Sequence, residues 1–519
     1  MSQSKECISR WKTLLPEGRV LPEARLTDYQ QNCLGVTRRI VTAIQPQTEA
    51  EIVSIINIAN QYQLPVYTIS TGHNWGYGTS LPAADDCAIL DLSRMNKILA
   101  MDVELGLITL EPGVTQQQLY DYLQQHRLNY YVPTTGAGPS ASIVGNALER
   151  GFGMAPEEDH FRAVTSIRAV LADGSIYISQ LAAIGATQAG VWKWGTGPYL
   201  DGLFSQSNMG IVTSMQISLA TKPEHTELFV FTLKKRQAIE EFISPTRHLL
   251  RDVPGNIGSM KFFNNTYQKL LSGADVRNGL LREAEWTGFG LFRSTHSMAS
   301  SIRKQIGQRL KPYCSRIIFT NDNRLKVLKH AAGFVGGSKG HFIRSQIEQG
   351  QYLLDLANGI PRSNAMRILY QHIPSPQDFN TDPIKNGVGL IWYPPIIPLT
   401  SDHVRECVDM VGTILSKYYF PPAILFTSAN EKCAIGAIPI IYKKPEEAEN
   451  AMRCYDELVS QGNRIGCPPY RLNVEAMKHL PSQLDSGYQT VAKSIKQALD
   501  PKYILSPGRY DHGQKTNKS

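Results

Sequence analysis

Apolar positions in the first two hundred residues fall in short runs that alternate with longer amphipathic stretches, the pattern of short strands interleaved with helices. RIVTAI (Arg39 to Ile44) reads as a strand, and EAEIVSIINIANQY after it as a helix opened by a capping box, Thr48 with Glu51 three residues on. LPVYTIS, CAILDLS and GLITLEPG are strand-like, and VTQQQLYDYLQQH has the composition and threonine cap of a helix. IRAVLADGSIYIS predicts a hairpin turning at Asp173-Gly174, a dipeptide suited to a type I′ turn. From about Pro223 the texture changes. TELFVFTLKK starts a new segment, in which long helical stretches such as HVRECVDMVGTILSKYY are separated by apolar strand-like runs. The last fifty residues, PPYRLNVE to DPKYILSPGRYD, predict a strand, a helix and a terminal Pro-Gly loop that could close either part. The fold class is α+β, and 519 residues exceed what one hydrophobic core organises, so two domains are expected.

Composition narrows function by exclusion. A net charge of +8 from scattered basic residues gives no nucleic-acid footprint. No stretch approaches the roughly 20 apolar residues of a membrane span, and the N-terminal MSQSKECISRWKTLL carries charges where a signal peptide needs an apolar core, so a cytoplasmic protein with no membrane partner is expected. Eight cysteines form no CxxC and no zinc spacing, so reduced thiols and no metal site are expected. GK[ST] is absent, and no GxGxxG stands between a strand and a helix, which removes the P-loop and Rossmann routes to a nucleotide.

Another route is present. STGHNWGYG (Ser70 to Gly78) places three glycines after a strand, where backbone N–H groups free of Cβ obstruction can form an anion nest; a tight surface turn is the alternative. VPTTGAGPSASIVGNALERGFG (Val132 to Gly153) and DGLFSQSNMGIVT (Asp201 to Thr213) add two more glycine-bearing stretches. Three of them in one domain suit a large, extended ligand.

With EPGVT and the C-terminal LDPKYILSPGR, these stretches resemble, in the same order over most of the chain, the vanillyl-alcohol oxidase and p-cresol methylhydroxylase family of FAD enzymes; the resemblance is weaker between about 225 and 370. It implies a two-domain FAD-binding fold with a cap over the flavin: residues 1–222 and 469–519 in the FAD domain, 223–468 in the substrate domain. It places Ser70, Thr71, Gly72, His73, Asn74, Gly76 and Gly78 against the FAD pyrophosphate, Asn208, Gly210 and Val212 toward the adenosine side, and Gly145, Asn146 and Glu149 beside them. Tyr77, Tyr470, Arg471 and Arg509 match positions that bind a phenolic oxygen or the flavin pyrimidine edge. The implied reaction is hydride transfer from a carbon beside a phenol ring to flavin N5, followed by electron transfer to O2 or an acceptor protein. A homodimer is the expected assembly.

The usual tethering positions of the phenol-oxidising branch fall on Asp382 and Leu390, neither a nucleophile of the expected kind. STGHN resembles instead the loop in which other branches bond the flavin 8α-methyl through histidine, which makes His73 the candidate 8α-histidyl tether; the alternative is a histidine that only hydrogen-bonds the cofactor. Trp75 is a candidate flavin shield or a hydrophobic plug, and His160 a structural histidine. Neither the acidic residue near TTGAGPSAS nor the cap histidines near NEKCAIGAIPIIY that phenol oxidisers carry is present, which makes a non-phenolic hydroxyl or a larger secondary metabolite an alternative substrate, with base duty on a tyrosine such as Tyr77 or Tyr470. Competing readings are a carbohydrate or alkaloid oxidase of the same fold, and a flavin-fold binding protein without catalysis.

Overall fold

The computed structural model describes residues 3–154, 156, 158–233, 238–272, 284–363, 368–369, 387–480 and 483–510. Three parallel strands open the fold in the order Ile40–Ile44, Cys87–Asp91, Val66–Ile69. The helix Glu49–Tyr62 crosses between the outer two and buries Ile52, Ile55, Ile56 and Ala59 against Trp11, Val66 and Leu90. Each fully buried aliphatic side chain of that stripe contributes about 1.5–3 kcal/mol. The helix starts as expected, with Thr48 Oγ1 accepting the Glu51 N–H at 3.2 Å. The Glu51 carboxylate, however, takes the N–H of Gln47 at 2.6 Å, so the reciprocal half of the box is displaced by one residue. At Thr115, which caps Gln116–Gln125, both halves form.

A five-stranded antiparallel sheet follows, ordered Ile98–Asp102, Leu107–Leu110, Ile211–Ser218, Val164–Val170, Ile176–Ile178. Its last hairpin corrects the expected turn type. Gly174 has φ +82° but Asp173 does not share the left-handed region, and Leu171 pairs with Ser175 across three residues. This is the loop in which a glycine closes a type I turn, not a two-residue type I′ turn. Asp173 supports it by accepting the Ser175 N–H at 2.9 Å.

Strands between residues 225 and 443 form separate sheets. Seven antiparallel strands run in the order Arg316–Thr320, His225–Leu233, Trp286–Ser294, Ile257–Asn264, Leu425–Ser428, Cys433–Gly436, Ile396–Pro398. One face sends Phe229, Phe231, Phe262, Trp286 and Phe426 into a core shared with Ala238–Asp252, His296–Leu310 and Ser401–Lys417. The other face divides. Leu228, Phe289 and Leu291 meet the helices Asp322–Ala332 and Gly337–Ala357, whereas Phe263 and Leu425 pack with Trp75, Tyr267, Leu390 and Trp392. Leu390 and Trp392 lie on the strand Val388–Tyr393, which pairs only with Ile438–Lys443.

The C-terminal stretch touches both halves. Residues 470–475 form a loop, not the predicted strand, anchored on the cap by a Tyr470 N–H bond to the Pro394 carbonyl at 3.1 Å. After the helix Ser486–Leu499 the chain returns to the first sheet, where Val66 and Ser506 exchange backbone bonds with their neighbours: Val66 N–H to Ile504 O at 2.8 Å and Ser506 N–H to Val66 O at 2.7 Å. A buried ion pair locks that return. Lys496 Nζ lies 2.6 Å from Asp500 and also donates to the carbonyls of Asn208 at 2.8 Å and Leu505 at 3.2 Å.

Candidate active site

A cavity of about 410 Å3 opens where these elements meet. The loop after the strand Val66–Ile69 supplies one wall with Ser70, Thr71, Gly72, His73, Asn74 and Tyr77. Gly145, Asn146 and Glu149 contribute from the short helix Ile143–Leu148 and its C-terminus, Gly210 and Val212 from the entry of Ile211–Ser218, and Tyr470, Arg471 and Arg509 from the C-terminal stretch. Fourteen of the seventeen residues that the sequence assigned to the FAD or to the phenol therefore converge on one space. Gly76, Gly78 and Asn208 do not line it. A Cβ at Gly76 would lie 2.4 Å from the Trp392 ring and one at Gly78 2.6 Å from Val474, so these glycines serve the close approach of the loop to the cap and the C-terminal segment. Asn208 donates to the Ser506 carbonyl at 3.3 Å and gives its own carbonyl to Lys496.

The charged end of the cavity is built on Glu149, which is 6% exposed. One carboxylate oxygen pairs with Arg509 Nη2, the other lies 3.2 Å from Arg471 Nε. Burial alone would raise the Glu149 pKa; the charges of Arg509 and Arg471 reverse this and hold it below the usual carboxylate range. Arg471 also donates to Asn74 Oδ1, and its guanidinium carbon is 4.3 Å from the centre of the Tyr77 ring. Arg509 donates to the Ser207 carbonyl at 3.2 Å and the Tyr67 hydroxyl at 3.3 Å. Two guanidiniums against one carboxylate leave one unit of positive charge facing the cavity. Burial pushes the Tyr77 hydroxyl well above the ordinary phenol range, and Tyr470 upward too, with Arg471 opposing the rise in both. Both hydroxyls are thus donors at neutral pH, which favours hydrogen bonding to an oxyanion over proton abstraction.

Another part of the lining is apolar. Tyr267, Ile368, Leu369, Leu390, Trp392 and Ala437 form it, and of these sequence reading singled out only Leu390, in another role. Asp382 lies outside the described residues. Trp75 lines the cavity beside His73, their ring centres 5.1 Å apart. His160 is 4% exposed and stands outside the cavity, where Nδ1 accepts from the Asn146 amide; burial lowers its pKa to about 4, so it is a neutral support for Asn146.

Residues 42–179 match the family model described as an FAD binding domain. The chain is 32% identical over 503 residues to 1'-carboxy-chondrochloren decarboxylase of Chondromyces crocatus, covering 92% of this chain and 91% of that protein. It is 27% identical over 523 residues to the flavoprotein subunit of 4-cresol dehydrogenase [hydroxylating] of Pseudomonas putida, covering 97% and 95%. The chain belongs to the p-cresol methylhydroxylase and vanillyl-alcohol oxidase family. It is an FAD-dependent oxidoreductase of that family. The fold agrees: the p-cresol methylhydroxylase structure with substrate bound superposes with a TM-score of 0.85 at 24% identity over 98% of this chain and 96% of that one. The 4-ethylphenol oxidase of Gulosibacter chungangensis gives 0.85 at 19% identity over 99% and 98%.

The cavity's own chemistry fits the family cofactor. Trp75 and Thr79 line it, and their buried Nε1 and Oγ1 atoms have no hydrogen-bond partner among the described residues. Gly145 lets two walls of the cavity come together: a Cβ there would lie 2.2 Å from Ser70 Oγ. The positive charge at the Arg471 and Arg509 end suits an anionic group. Among the described residues no group of His, Cys, Asp and Glu side chains could hold a metal ion, and no helix is long and apolar enough to cross a membrane.

Proposed function

We propose that this family member oxidises a phenol carrying a para substituent, with Arg471, Tyr77 and Tyr470 as the phenolate-binding group. One observation carries the reading: a guanidinium and two tyrosines that keep their protons line the same cavity, with Arg471 stacked on the Tyr77 ring at 4.3 Å and fixed by Glu149. Two neutral donors and a cation around one oxygen lower the pKa of a bound phenol, and a phenolate releases hydride from the adjacent benzylic carbon more readily than a phenol. Bound FAD supplies the hydride acceptor, and reoxidation passes the electrons to O2 or an acceptor protein. The chain's own work is to ionise and orient the substrate and to exclude water through the apolar wall of Trp392, Leu390 and Ile368.

In the same reading Ser70, Thr71, Gly72 and Asn74 hold the FAD pyrophosphate, Gly210 and Val212 border its adenosine end, and Arg509 faces the flavin pyrimidine edge. His73 is the proposed tether, supported by its place on the cavity wall and by the aliphatic side chain at Leu390.

Anaerobic mixing with para-alkylphenols tests the substrate: bleaching of the flavin is expected, and Arg471→Met should reduce its rate constant by a factor of about 100 or more. A flavin that stays oxidised with every phenol offered sinks the phenol reading. Acid precipitation tests the tether, with yellow colour expected in the pellet of the wild-type protein and in the supernatant for His73→Ala.

A further inference from the structure

The seven-stranded cap sheet turns its two faces to different surroundings, and one lysine stands on the face that borders the cavity. Met260 and Phe262 of the strand Ile257–Asn264 enter the helix-covered core, so Lys261 between them points the other way. Phe263, two residues on and on the same face as Lys261, packs with Trp75, Tyr267, Leu390 and Trp392, the apolar wall of the cavity. Across the sheet Lys261 is paired with Thr427, and Leu425, two residues from Thr427, belongs to that wall as well. Lys261 therefore stands one strand repeat from Phe263, on the sheet face that packs behind the apolar wall of the cavity.

Its ammonium donates to Thr427 Oγ1 at 3.1 Å and makes no ion pair among the described residues. Glu158 acts on it only from farther off, having its own Oε1 engaged by the Ser259 N–H at 2.6 Å. Arg293 adds a second cation on the same sheet face. Its Nη2 donates to the carbonyls of Met154 at 2.7 Å and Ala357 at 3.4 Å, and its buried Nε has no hydrogen-bond partner among the described residues. Two cations thus act on one carboxylate, and partial burial brings the lysine down to about 8. A cation in such surroundings is held at a cost that an incoming anion removes.

We propose that Lys261 is a specificity residue that recognises a carboxylate carried by the substrate on its para side chain, so that the preferred substrates are para-hydroxyphenyl alkanoic or alkenoic acids. The inference rests on the phenol reading above. A series of para-hydroxyphenyl alkanoic acids of increasing chain length and their methyl esters, titrated anaerobically against the FAD-loaded enzyme, gives Kd and the flavin reduction rate for each. At the favoured length the acid is expected to bind about tenfold or more tighter than its ester. Lys261→Met should abolish that ratio and Lys261→Arg, which keeps the charge, should retain most of it. Equal affinities for acid and ester at every length in the wild-type enzyme, a result that needs no variant, overturn the proposal; so does a ratio that survives in Lys261→Met. Reduction by the esters with no advantage for the acids leaves the phenol reading standing and removes only the role of Lys261. Failure of acids and esters alike to bleach the flavin removes the phenol reading and the lysine's role with it.

Discussion

Glu149→Gln exchanges a carboxylate held between two guanidiniums for a neutral amide of the same shape. The substitution leaves Arg471 with Asn74 and the Tyr77 face, and Arg509 with the Ser207 carbonyl at 3.2 Å and the Tyr67 hydroxyl at 3.3 Å. All of these partners are neutral. Breaking a buried pair by removing one partner costs about 3–5 kcal/mol, and the amide oxygen recovers part of one bond, so a loss of about 2–4 kcal/mol is expected. pH provides the sign. Glu149's folded pKa lies below the ordinary 4.5, so its stabilisation is complete above that value and is lost as pH falls through the folded pKa. The gap between wild type and variant should therefore be constant from neutral pH down to about pH 5 and narrow below it. Urea unfolding followed by flavin release and tryptophan emission, on the FAD-loaded protein at each pH, measures that gap. A second readout separates charge from packing: with the carboxylate gone the cavity carries two excess charges instead of one, and the flavin reduction potential should rise. Equal unfolding midpoints at neutral pH, or a potential that does not move, would refute the shared counter-ion role.

Three further outcomes follow from the same structure. Lys496→Met strands Asp500, which is fully buried, and should cost about 3–5 kcal/mol in urea unfolding while loosening the Arg509 loop enough to lower the flavin-to-protein absorbance ratio. Gly145→Ala puts a methyl 2.2 Å from Ser70 Oγ; the purified variant should carry markedly less FAD at unchanged helix content by circular dichroism. His160→Gln should change how stability depends on pH. The folded imidazole titrates at about 4 against an ordinary 6.5, so the unfolded chain takes up the proton first and the wild type loses stability as pH falls from 6.5 toward 4. The variant lacks that term, and the stability difference between the two should shift by about 3 kcal/mol across this window in urea titrations.

Local rules accounted for much of the fold. The helix Glu49–Tyr62 matches the segment read from its cap and composition to the residue, because Thr48 closes one end and Gln63, in the left-handed region, the other. Where the reading departed from the structure, long-range contacts outweighed local preference. The Asp173-Gly174 pair fits a type I′ turn by composition, yet the pairing of Leu171 with Ser175 sets a three-residue loop, and only the glycine needs positive φ. PPYRLNVE has strand-like residues but forms only a single antiparallel bridge among the described residues, Pro469 with Pro395, flanked by the Ile396 N–H bond to the Pro468 carbonyl at 2.7 Å. Its other long-range backbone bonds go singly to Pro394 and Tyr77, and the extended segment becomes the arm that delivers Arg471.

The site was legible where its function lies in contiguous backbone and hidden where it depends on register. Ser70 to Asn74 line the cavity and stand out in sequence because they open a run of three closely spaced glycines. Gly76 and Gly78 share that spacing but answer to Trp392 and Val474, partners that no local pattern reveals. The apolar wall is harder still: Tyr267, Ile368, Leu390 and Ala437 come from four separate segments, a helix, a short turn, a strand and a strand end, and only tertiary packing brings them together. Glu149 shows the limit most sharply. Within GNALERG it reads as one more polar residue beside a cofactor, and its effect on Arg509 acts across 360 positions of sequence. A carboxylate that neutralises one of two arginines decides how much charge faces the cavity, so the residue that sets the field there is one whose role exists only in the folded chain.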